Sequence, residues 1–115
     1  MLKTKEQLKI KTENNAVGQV KLYLSNLADF DERNPKLRTF ALARLKPGEE
    51  VEYHIHRNES ESYYIISGNG VYNDNGTETE IFPGTVTFTP SGTGHGIRNN
   101  GNETLEFIAL ILLDS

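Results

Sequence analysis

Apolar and polar positions alternate along most of this chain, in short runs separated by turn-forming residues. Val20, Leu22 and Leu24 alternate with Lys21 and Tyr23, a period of two that predicts a strand with one buried face. Residues 38–45, 51–56, 62–67, 71–73, 77–81, 85–89, 97–99 and 104–113 read as further strands. In 38–45 the residues Ala41, Leu42, Ala43 and Arg44 are good helix formers. Pro47-Gly48 ends that run and strands follow it, so a strand is predicted there too. Turns are expected at Lys46-Pro47-Gly48-Glu49, 57–60, Asp74-Asn75-Gly76, Pro83-Gly84, 90–94 and Asn100-Gly101-Asn102. Asn75-Gly76 is a hairpin signal, because both residue types tolerate positive φ. Residues 26–35, with Asp29, Asp31, Asn34 and Pro35, read as loop. The polar stretch 1–15, whose apolar points are Leu2, Leu8 and Ile10, reads as an arm or as a strand laid on a neighbour. Short strands with few helix signals predict an all-β sandwich or barrel.

Alternation also predicts which side chains share a face. His54 and His56 project together from one strand. Tyr63 and Ile65 share parity with Glu61, and Ile97 with His95. Val86 and Phe88 are the expected inward pair of strand 85–89.

At 115 residues the chain is long enough for one core and one domain. It contains no cysteine, which excludes disulfide staples, thiolate metal sites and cysteine nucleophiles and is consistent with the cytoplasm. The formal net charge is −4, with both signs spread along the chain and no basic block, so nucleic-acid binding is not expected. The longest apolar run, Phe107 to Leu113, is well below the ~20 residues of a membrane helix. Lysines interrupt the N-terminal stretch, so no targeting signal is read there. The expected location is cytoplasmic, with no membrane partner.

The chemistry is concentrated in two spaced motifs. The first runs Gly48-x5-His54-x-His56-x4-Glu61-x6-Gly68, and the second Gly84-x5-Pro90-x-Gly92-x2-His95-x3-Asn99. All three histidines of the chain lie inside them. Three neutral imidazoles and one carboxylate suit a divalent ion, with Mn, Fe, Ni, Co, Cu and Zn all compatible. With the histidines used as ligands, proton transfer would fall to another group. Tyr63, Arg44 and Glu52 are the candidates: Tyr63 for its hydroxyl, Arg44 for its carboxylate-matching fork, and Glu52 because it shares parity with His54.

Both motifs resemble the signature motifs of the cupin superfamily at every signature position, over about half the chain. The short segment between them, 69–83, is similar to that of compact single-domain bacterial cupins of the oxalate-decarboxylase-like and sugar-phosphate-isomerase-like group. The resemblance implies a small antiparallel β-barrel, a jelly roll or double-stranded β-helix, at 20–115, preceded by an N-terminal arm or swapped strand at 1–19. It also implies one metal per chain held by His54, His56, Glu61 and His95. The expected function is a metal-dependent enzyme on a small polar metabolite, such as a carboxylate, keto acid or sugar derivative, with the metal as Lewis acid or oxygen-binding centre. As an enzyme it would be an oxidoreductase, decarboxylase or isomerase. The alternative is a non-catalytic metal-containing module that binds or senses a small molecule. Oxalate decarboxylase carries an acidic lid loop after the second motif; Asn99-Asn100-Gly101-Asn102 stands here instead. A homodimer is expected, with the arm or the strand 20–24 contributing to the contact.

Overall fold

The structure of the chain is a computed structural model and describes residues 2, 4–7, 10–14, 21–26 and 33–115, with side chains described at 2, 4–7 and 33–115. A 3-10 turn, Lys5–Gln7, precedes the strands. These are β1 Ile10–Asn14, β2 Lys21–Asn26, β3 Leu37–Leu45, β4 Glu50–Ile55, β5 Glu59–Ser67, β6 Gly70–Asp74, β7 Thr77–Ile81, β8 Val86–Thr89, β9 Gly94–Arg98 and β10 Leu105–Leu113. They build a six-stranded sheet in the order β1-β2-β3-β10-β5-β8 and a four-stranded sheet in the order β4-β9-β6-β7. The two antiparallel sheets form the walls of a jelly roll, or double-stranded β-helix. Leu8, Val20 and most of the expected loop 26–35 lie outside the described residues, as do the side chains of Leu22 and Leu24.

Residues 38–45 are strand, as the alternation required: Ala41, Ala43 and Leu45 are buried while Arg44 stands on the other face. β1 pairs with β2 in the same chain, from Ile10↔Ser25 to Asn14↔Lys21. The hairpin at Asn75-Gly76 forms, with both residues at positive φ, 50° and 100°. Gly68, the last residue of the first motif, has φ 83°. A Cβ there would lie 2.5 Å from the Thr104 carbonyl oxygen, so only glycine lets β5 turn into β6 this close to the start of β10.

The core lies between the sheets. Ala41 and Ala109 are cross-strand partners, and Ala109 is also the partner of Tyr63. These two small side chains leave room for the tyrosine ring, which packs against Phe107 at 4.6 Å between centroids. Tyr63, Ile65 and Ile97 face inward as their parity predicts.

The inward pair of β8 differs from the expectation. Val86 and Phe88 are 73% and 62% exposed, while Thr89 is buried. The cause is register: Glu61 pairs with Thr89 and Tyr63 with Thr87, and directly opposed residues share a face. The threonines therefore turn inward beside the inward residues of β5. Strand β9 begins at Gly94, at the end of the expected loop 90–94, and carries His95.

Candidate metal centre

Four side chains from three strands meet at one end of the barrel interior. His54 lies near the end of β4 and His56 just beyond it; Glu61 comes from β5 and His95 from β9. His54 and His95 are direct cross-strand partners. One ligand atom from each of the four residues lies within 4.8 Å of the other three. His54 Nε2 is 3.0 Å from His56 Nε2, and His56 Nε2 is 2.9 Å from Glu61 Oε1. His95 Nε2 is also 2.9 Å from Glu61 Oε1.

The outer nitrogens decide what this cluster is for. His54 Nδ1 donates to the Glu52 main-chain carbonyl at 2.7 Å. His56 Nδ1 donates to the Glu59 carboxylate. His95 Nδ1 lies 2.8 Å from the Tyr72 hydroxyl and 3.2 Å from that of Thr89. Carbonyl and carboxylate only accept, so each fixes an Nδ1–H tautomer; the hydroxyl pair accommodates the same tautomer at His95. Three Nε2 lone pairs and a carboxylate then converge. His95 is fully buried, and its Nε2 has no hydrogen-bond partner. Lone pairs facing one another repel unless a cation stands between them, and imidazole with carboxylate is a donor set for a divalent transition metal. The residues present therefore fit the metal that the motifs imply.

Electrostatics agree. Burial pushes the Glu61 carboxyl up, but the neighbouring His56 and His95 imidazoles outweigh it and hold its pKa at about 2. The hydrogen bond with Glu61 raises His56 above its ordinary 6.5, against burial. His54 is lowered by burial, opposed by the Glu52 carbonyl and reinforced by the facing His95 and His56. In the metal-free protein the Glu61 contribution to stability is fully present above 4.5 and lost as pH falls toward about 2. The His56 contribution is fully present below 6.5 and lost as pH rises through its raised pKa, whereas that of His54 has the opposite sign. Because His56 holds its proton more tightly than a free imidazole, proton competition should begin above pH 6.5. Metal content, measured after equilibration across neutral to acidic pH, is expected to fall with acidification from that point. Unchanged occupancy well below 6.5 would contradict histidine ligation.

Of the other candidates, only Tyr63 adjoins the cluster. Its ring lies nearly parallel to that of His95, 5.0 Å between centroids and 25° apart. Burial, then the Glu61 charge, pushes its hydroxyl well above the usual tyrosine range. Arg44 points away: it alternates with buried Ala43 and Leu45 and forms a 2.7 Å ion pair with Glu106 on the outer face. Glu52 fails as an inward residue because the β4–β9 register shifts between Val51 and His54. This bulge breaks the two-residue parity. Glu52 lines an outer cleft of about 370 Å³ with Glu50, Tyr53, Asn73, Glu78 and Arg98. What it gives the cluster is its carbonyl. Sequence reasoning missed Glu59, Tyr72 and Thr89, which meet the outer nitrogens of His56 and His95. No local signal in the sequence marks Thr89, whose inward placement follows from its pairing with Glu61.

Comparison with known proteins agrees with this architecture. The cupin domain profile matches residues 41–111, and the chain belongs to the cupin family. Over 96 residues it is 43% identical to the oxalate-binding protein of Thermotoga maritima, spanning 84% of this chain and 79% of that one. A crystal structure of a predicted oxalate decarboxylase from Thermotoga maritima superposes with TM-score 0.89 at 38% identity, covering 98% of this chain and 99% of the other. A protein of Acidithiobacillus ferrooxidans assigned as a sugar phosphate isomerase superposes with TM-score 0.84 at 26% identity, covering 96% and 74%.

Proposed function

We propose that the protein binds one divalent transition-metal ion per chain through His54, His56, Glu61 and His95, and through that ion a small carboxylate such as oxalate. The observation that carries this reading is the outward anchoring of all three Nδ1 atoms, which leaves three Nε2 lone pairs and Glu61 converging. Oxalate is taken from the oxalate-binding relative of Thermotoga maritima. When bound, the metal supplies a positive centre with positions open to carboxylate oxygens. The half-buried His54 and His56 stand on the accessible side, while His95 and Glu61 form the buried wall. Tyr63 packs flat on His95 and keeps its hydroxyl protonated near Glu61.

Binding is favoured over acid–base turnover for a specific reason. With the imidazoles and Glu61 used as ligands, the Tyr63 and Tyr72 hydroxyls stand beside them, and burial keeps both protonated. None of these groups is poised near neutral pH to move a proton. The test is calorimetric titration of oxalate into metal-restored and metal-free protein, followed by assay for loss of oxalate. The reading expects saturable binding only with metal and no consumption. Equal binding without metal, or none with it, contradicts the reading; consumption returns the enzyme hypothesis.

We also propose a homodimer. Tyr64, Ile66, Val86, Phe88 and Leu112 are all exposed and lie on the outer side of the large sheet, and β8 is one of its two edge strands among the described strands. Exposed apolar faces of this kind suit association, with the arm 1–15 or the strand 20–24 contributing to the contact. Light scattering of the full chain is expected to give twice the 12.9 kDa chain mass, and Phe88→Glu is expected to give a monomer. A chain lacking 1–15 that still dimerises would confine the contact to the barrel face. A monomeric full chain at micromolar concentration would rule the dimer out.

A further inference from the structure

The three histidines are held from behind by different chemistry. His54 has a neutral carbonyl behind it and His95 two neutral hydroxyls. Behind His56 alone stands a carboxylate, that of Glu59, at 2.5 Å from Nδ1. The same Glu59 oxygen accepts from Arg38 at 2.8 Å. Backbone geometry makes this possible. Between β4 and β5 the chain reverses in a tight turn with Asn58 at φ 62°, a left-handed conformation that asparagine tolerates better than most residues. The turn is pinned by the Asn58 N–H donating to Ser91 Oγ and by the Gly92 N–H donating to the His56 carbonyl. That reversal brings Glu59 back onto the ring three positions before it. The side chains of His56 and Glu59 are each 13% exposed, whereas that of Arg38 is 51% exposed.

We infer that Glu59 is a positioning residue for the metal centre, and that Arg38 positions Glu59 in turn. This rests on the metal-binding reading above. The Glu59 carboxylate locks the Nδ1–H tautomer of His56, aims its Nε2 at Glu61 and His54, and makes that nitrogen the most electron-rich of the three donors. His56 needs this support most, because it lies one residue beyond the end of β4. Arg38 fixes the carboxylate rotamer and offsets part of its charge.

Cobalt(II) alone is the probe, since its visible absorption reports ligand geometry. Affinity is measured at neutral pH by competition with a chelator for the wild type, Glu59→Gln, Glu59→Asp and Arg38→Met. Glu78→Gln, in the exposed Glu78–Arg98 pair on the outer face of the small sheet, is the control. Glu59→Gln keeps a hydrogen-bond acceptor but removes the charge. It is expected to weaken cobalt binding about 10- to 100-fold and to shift the absorption bands. Arg38→Met should lose less, Glu59→Asp should recover part of the loss, and Glu78→Gln should match the wild type. Metal-free melting temperatures are measured alongside. Unchanged cobalt affinity and spectrum in Glu59→Gln overturns the inference while leaving the metal reading intact. So does a lowered metal-free melting temperature without a change in affinity. Absence of cobalt binding to the wild type overturns both.

Discussion

His95→Ala is expected to lower metal affinity by more than the ~10- to 100-fold that outer-sphere substitutions cost, to the point of empty protein at ordinary metal concentrations. His95 is the most deeply buried of the four ligands, and its Nε2 lies 2.9 Å from Glu61 Oε1. Alanine removes that donor and leaves space beside Tyr63, whose ring loses its stacking partner. Tyr72 and Thr89 keep each other, since their hydroxyls are 2.8 Å apart. The barrel is therefore expected to fold, with lower stability. Chelator competition gives the affinity and circular dichroism checks the fold. Affinity within threefold of the wild type would remove His95 from the metal site.

Phe107→Ala carries the largest expected stability effect. Phe107 is the largest of the fully buried side chains among the described residues, 1% exposed, and truncating a buried phenylalanine costs about 3–5 kcal/mol. Against a total of about 5–15 kcal/mol for a domain, that is a large fraction. The melting temperature should fall by roughly 10–20 °C. The substitution also reaches the site, because Phe107 backs Tyr63, which lies on His95. Metal affinity of the folded protein is expected to weaken, but less than for His95→Ala. Thermal unfolding checks the first effect; a shift below about 4 °C, roughly 1 kcal/mol, would mean that Phe107 is not the packing centre of the core.

The strands were legible because alternation is a local rule, and the members of the quartet because each motif spans two consecutive strands and the turn between them. What was not legible depends on pairing between distant strands. Thr87 and Thr89 face inward because β8 takes its parity from β5, and hydrophobicity alone favoured Val86 and Phe88. Those two are exposed on the outer side of the sheet. Glu52 shares parity with His54 only in an unbroken strand, and the bulge in β4 breaks it. Arg44 had no anchor for its parity until Ala43 and Leu45 turned inward. Glu59 was read as part of a polar turn, but β5 begins at that residue. Tyr72 reaches His95 only through the pairing of β6 with β9.

The central claim is a single metal ion held by these four side chains. Its most direct test is a crystal structure of the metal-restored protein with diffraction collected on both sides of the absorption edge of the metal identified by elemental analysis. The account predicts one anomalous peak per chain, within about 2.0–2.5 Å of His54 Nε2, His56 Nε2, His95 Nε2 and a Glu61 carboxylate oxygen. A peak elsewhere, none at all, or the four side chains directed to different faces of the sheets would contradict it.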